Sequence, residues 1–129
     1  MAFNTIPYLI VGSSLLFLGL FVFLKNIQAR INILLGLTCL ASALWLISTS
    51  LASYFAGKEL VLFLLRLGYV GFIFVPILLY HYTVVFLNIK SKNQALIIPY
   101  LGGLIFAVTA MLSPSFLRDY RIDYWGYTP

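Results

Sequence analysis

The chain has 129 residues, of which 63% are hydrophobic and 9% charged, with 8 Lys+Arg, 3 Asp+Glu and one His. A soluble globule of this size could not cover its surface with so few charges, since an ordinary domain carries about 25%, and the same figures exclude disordered, collagen-like and coiled-coil chains. Cys39 is the single cysteine and rules out an internal disulfide framework, so the composition describes a polytopic membrane protein.

A helix needs about 20 mostly apolar residues to cross a hydrocarbon layer of about 30 Å. Four stretches qualify, predicting helices at about 6–24, 31–55, 60–89 and 95–113. The first is uncharged and contains Gly12 and Gly19; because its basic flank, Lys25, follows it, it reads as a retained helix and not as a cleaved signal peptide. The second carries small residues, Gly36, Cys39 and Ala43, near one face. The third holds Arg66, His81 and a mid-helix proline, Pro76, which removes a backbone hydrogen bond and should kink the span. The fourth repeats the small-residue pattern with Gly103 and Ala107. Lipid competes well with Leu and Ile for a helix surface, so these small-residue stripes mark the expected helix–helix contacts. Short connectors make neighbouring helices antiparallel, and the expected fold is an all-α, up-down four-helix membrane bundle over residues 1–113.

Residues 114–129 form a polar, aromatic tail, expected to lie at the membrane surface and to be cut short. Lys25, Arg30, Lys90 and Lys92 lie in two connectors on one side without an acid, whereas the charges on the other side cancel. Positive-inside orientation then places both termini outside the cytoplasm, in the plasma (bacterial inner) membrane. The basic connectors suit an anionic inner leaflet and are not read as a nucleic-acid surface.

Ionisable groups within a span are functional candidates first. At 100° per residue Arg66, Tyr69 and Tyr80 share one face, which makes them candidates for a ligand strip or for a latch to a carbonyl or acid of another span. The competing reading has Arg66 snorkelling to the outer headgroups from a long tilted helix. His81 lacks the partners of a proton relay or metal site and is expected to bond a backbone carbonyl. No span contains Asp or Glu, and no phosphate loop, metal-ligand spacing or nucleophile–base set appears. The chain is therefore expected to have no catalytic residue, metal or cofactor, and not to be an enzyme.

Ala43-Leu-Trp45, Leu67-Gly-Tyr69-Val-Gly71, Pro76, Tyr82-Thr-Val-Val-Phe86 and Tyr124-Trp-Gly126 occur in an order that resembles the N-terminal seven-helix membrane region of bacterial sensor histidine kinases. The likeness runs over residues 10–129. It implies a sensory input role in two-component signal transduction, with Trp45, Arg66, Tyr69, Pro76 and the loop residues Trp125 and Gly126 as positions of interest. It also implies partners: the bilayer, three further C-terminal helices, cytoplasmic signalling domains and a second copy in a homodimer. This chain has four spans and no kinase core, so it could neither bind ATP nor phosphorylate. A small multipass transporter or channel subunit, or a non-catalytic membrane scaffold, is the alternative.

Overall fold

The computed structural model describes residues 5–55, 57–89, 94–113, 115–116, 121–123 and 126–128. Four α-helices are formed among them: α1 (Thr5–Lys25), α2 (Arg30–Ala52), α3 (Lys58–Phe86) and α4 (Ile97–Leu112), the last preceded by a 3₁₀ turn at Gln94–Leu96. All four, α4 taken with its 3₁₀ turn, are long and apolar enough to cross a membrane, as a multi-pass membrane protein requires. At 1.5 Å per residue the 29 residues of α3 extend about 43 Å, well beyond a hydrocarbon layer of about 30 Å.

The helix ends follow local chemistry. Pro7 and Pro99 fall in the first turns of α1 and α4, where a missing N–H leaves no bond unmade. α2 stops at Ala52, short of the expected residue 55. Its last turn tightens as the Ser53 and Tyr54 amides donate to the Ser50 and Leu51 carbonyls at 3.1 and 2.9 Å. Lys58 and Glu59, expected in the turn, instead open α3, where Glu59 complements the positive helix end. α3 ends at Phe86 instead of residue 89 because Asn88 adopts a left-handed φ of 52°. The Asn88 and Ile89 amides donate back to the Val85 and Val84 carbonyls at 3.1 and 3.0 Å, which makes a Schellman cap.

Contacts between neighbours give the directions. Ser50 donates to the Thr5 carbonyl at 2.8 Å, Gly12 lies against Ile47, and Gly19 against Gly36 and Cys39. Rising positions on α1 thus meet falling positions on α2. Gly68 against Thr49 and Gly71 against Ala41 show the same for α2 and α3, as do Arg66 against Met111 and His81 against Tyr100 for α3 and α4. The helices are antiparallel in sequence order.

They do not close into the expected bundle. α1 packs on α2, α2 on α3 and, over a smaller area, α3 on α4, with no comparable interface between α1 and α4 among the described residues. The result is an open row. The reason is how small residues are distributed. α2 turns Gly36, Cys39 and Ile47 toward α1 and the Ala41, Trp45 and Ser48 region toward α3, so it can be central. α1 and α4 each bury a single small-residue stripe, Gly12 with Gly19 and Gly103 with Ala107 and Ala110. Their other faces present exposed Phe17, Phe21, Ile98, Ile105 and Phe106, a surface suited to lipid and not to water.

α3 stays helical through Pro76, whose ring lies on an exposed face. The tail adds a feature that an all-α fold does not include: strands β1 (Arg121–Asp123) and β2 (Gly126–Thr128) pair antiparallel, with Ile122 opposite Tyr127. With three residues per strand, such a hairpin is marginal by itself.

Candidate functional site

The α3–α4 interface differs from the other two. α1, α2 and α3 approach so closely that backbone meets backbone: a Cβ placed on Gly71 would lie 2.6 Å from the Ala41 carbonyl oxygen, and one on Gly36 3.1 Å from that of Gly19. Between α3 and α4 the Ile77 side chain, not backbone, lies over Gly103. Polar contacts hold the two ends.

At one end, Arg66 extends from α3 and its Nη1 donates to the Met111 carbonyl at 3.4 Å. The bond is long, so much of its effect is electrostatic. Met111 belongs to the last turn of α4, where carbonyls lack helical partners and the helix dipole is negative, so a guanidinium there is favourable. Beside it, Tyr69 packs edge-on against Phe116 with ring centroids 5.6 Å apart, and both lean on the buried cluster of Ala52, Val61 and Leu65.

At the other end, the Nδ1 of His81 and the hydroxyl of Tyr100 are 2.8 Å apart, with the two rings edge-to-face at 5.7 Å. Which atom donates depends on the His81 tautomer. This side-chain partner replaces the expected backbone carbonyl. The pair opens onto a cleft of about 630 Å³ between α3 and α4, whose walls include Phe74, Leu101 and Leu104 and whose rim includes Arg30, the first residue of α2. No acid lines it. The N-termini of α2 and α4 lie at this end; no described side chain caps α2, so its free amides, with the dipoles of both helices, add positive potential.

The expected strip is divided between these ends. Arg66 and Tyr69 are half-buried together, whereas Tyr80 is 40% exposed and joins neither polar contact. Fourteen residues separate Arg66 from Tyr80, about 21 Å of helix, and α4 covers the α3 face unevenly along that length. Gly36, Cys39, Ala43, Gly103 and Ala107 are all buried. Trp45 is 38% exposed and stacks at a tilt on Phe72, with centroids 4.8 Å apart. Gly126 opens β2; Trp125 lies outside the described residues.

Sequence reasoning passed over Arg30 and Tyr100 as site residues, and Gly68 and Gly71 as contact residues. Tyr100 was within reach of it: in an antiparallel pair joined near residue 90, positions 81 and 100 face each other. Among the described residues no group of three or more His, Cys, Asp or Glu side chains could hold a metal.

Comparison with protein-family models, with curated proteins and with solved structures finds no match to this chain.

Proposed function

We propose that the chain is a membrane-embedded sensory or input module, without catalytic chemistry of its own, that signals through movement of α4 relative to a rigid α1–α2–α3 unit. The observation that carries this reading is the contrast between interfaces. Backbone-level contact joins α1 to α2 and α2 to α3, whereas the smaller α3–α4 interface rests on the buried Gly103, Ala107 and Ala110 stripe, with Ile77 over Gly103, and, among the described residues, on polar contacts near its two ends. Such an element has few contacts to exchange in a shift or rotation, which suits it to two-state behaviour. The single-sided burial of α1 and α4 leaves apolar faces that further helices or a second copy could cover, in keeping with the resemblance to sensor histidine kinase input regions. Under this reading the Arg30 end is cytoplasmic, the N-terminus is outside and the membrane is the plasma membrane.

A transport or channel subunit would instead line a route with polar groups free to meet a solute along several helices. Here the buried Thr38 and Ser50 of α2 give their hydroxyls to backbone carbonyls at 2.8 Å, and the second cleft, of about 480 Å³ among α1, α2 and α3, is walled by Leu, Ile, Val and Phe apart from Ala41, Ser48 and Gly71.

The test is disulfide trapping in native membranes on a Cys39→Ala background. Ile77→Cys with Gly103→Cys reports α3–α4, and Thr49→Cys with Gly68→Cys reports α2–α3. Across shifts of osmolality and external pH, the first pair should change its trapping yield while the second stays constant. A constant α3–α4 yield under every condition would refute movement of α4 as the signal.

A further inference from the structure

We propose that the cleft between α3 and α4 at the Arg30 end binds an anionic phospholipid, with its phosphate at Arg30 and the His81–Tyr100 pair and its acyl chains along Phe74, Leu101 and Leu104. This goes beyond the sensory reading and stands even if α4 never moves.

Three observations lead there. The first is size and access. At about 630 Å³ the cleft is within the range of small-molecule sites, and its α4 wall is made by Ile97, Leu101 and Leu104, all exposed on the apolar flank of the row. A molecule arriving from the lipid phase can enter sideways.

The second is that the lining is ordered by depth. Arg30 is the first residue of α2 and Tyr100 the fourth of α4, both toward the same end of the row. His81 lies five residues before the end of α3. Phe74 and Leu104 lie deeper, about 18 and 10 Å from the helix ends at 1.5 Å per residue. The polar lining residues all lie toward the mouth, beside the apolar Val85, Leu96 and Ile97, and the deeper lining is apolar throughout, the pattern of an amphiphile standing parallel to the helices. A free phosphate would leave the apolar walls uncovered.

The third is charge. The lining contains a guanidinium and no carboxylate. Of the chain's three acids, Glu59 opens α3 at its far end, and Asp119 and Asp123 follow α4 in sequence beyond its far end. The uncapped N-terminus of α2 supplies further donors for an anion. A zwitterionic headgroup would bring a cation into a site with nothing to pair it. Basic pockets between membrane helices are a recognised physical solution for anionic headgroups.

The experiment is native mass spectrometry of the full chain, released from detergent after equilibration with dioleoylphosphatidylglycerol, dioleoylphosphatidylcholine or inorganic phosphate. Phosphatidylglycerol should be retained about tenfold more strongly than phosphatidylcholine, and phosphate alone should give no stable adduct. Arg30→Gln should weaken retention about tenfold, and Leu101→Trp, which fills the cleft from an exposed position, should abolish it. Lys25→Gln, at the same end but outside the cleft, should leave it unchanged.

Equal retention of the two lipids would overturn the proposal, as would a phosphate adduct as stable as the lipid one. So would insensitivity to Leu101→Trp, or equal losses from Arg30→Gln and Lys25→Gln, which would mean a diffuse basic surface. Far-UV circular dichroism in phosphatidylcholine checks each variant's fold. If Arg30→Gln fails there, Arg30→Lys replaces it and should keep the preference for phosphatidylglycerol; loss of that preference in a folded Arg30→Lys, or a Leu101→Trp that still retains the lipid, would count against the site.

Discussion

Gly71 offers the sharpest test of how α2 and α3 are joined. An alanine Cβ there would lie 2.6 Å from the Ala41 carbonyl oxygen and 3.0 Å from the Trp45 amide nitrogen, where ordinary contact begins at 3.4 Å. Both obstacles are backbone, so no side chain can turn aside, and the helices must separate by the difference between 3.4 and 2.6 Å, about 0.8 Å. A gap of that size forfeits a quarter to a half of each dispersion contact along the seam, and overpacking of this kind costs about 1–3 kcal/mol. Alanine regains about 0.5–1 kcal/mol of helix propensity over glycine, so Gly71→Ala should destabilise by about 1–2 kcal/mol. Gly102, where an added methyl group would meet nothing within 4 Å, is the control: Gly102→Ala should be neutral or slightly stabilising. The assay is reversible unfolding in mixed micelles, followed by far-UV circular dichroism and by the fluorescence of Trp45, which contacts Phe72 beside the substitution. If Gly71→Ala unfolds together with Gly102→Ala, the α2–α3 seam is not set by backbone approach and the reasoning fails.

Tyr100→Phe removes one partner of the His81 contact and should loosen α4 by about 1 kcal/mol, seen as faster amide exchange in α4 with α1 and α2 unchanged; Tyr80→Phe, at an exposed position, should do nothing to exchange. At the end of α3, Asn88→Gly should be tolerated because φ is 52° there, whereas Asn88→Val forces a β-branched residue into the left-handed region and should cost about 1–2 kcal/mol in the same unfolding assay. Ser50→Ala deletes the buried bond to the Thr5 carbonyl and should cost about 0.6 kcal/mol, the average for an interhelical bond in a membrane protein, with the loss confined to exchange protection at the start of α1.

The fold was legible in the sequence where the physics is local or one-dimensional. Long apolar runs, charged in their interior only at Arg66, locate the four helices, because in lipid a chain must satisfy its backbone within each span. Small residues such as Gly36 and Gly103 mark contact stripes, because only they allow close approach. Short connectors impose the antiparallel order. Helix ends were less legible: the Schellman cap at Asn88 and the tightened turn after Ala52 rest on single backbone conformations that hydropathy does not register.

Arg66 was visible as an intramembrane cation, yet its contact with Met111 depends on where the end of α4 falls beside α3. Its helical alignment with Tyr80 was real in angle but spans about 21 Å of axis, so one face of a helix became two separate neighbourhoods. The sequence by itself determined how many helices could cross a membrane, their order and which stripes pack. The tertiary structure alone decided that they form an open row, that α4 is the loosely held member, and that His81, Tyr100 and Arg30 meet at one cleft. Spacing along a chain encodes which face a residue occupies; which faces meet, and at what height, is settled by the packing of whole helices against one another.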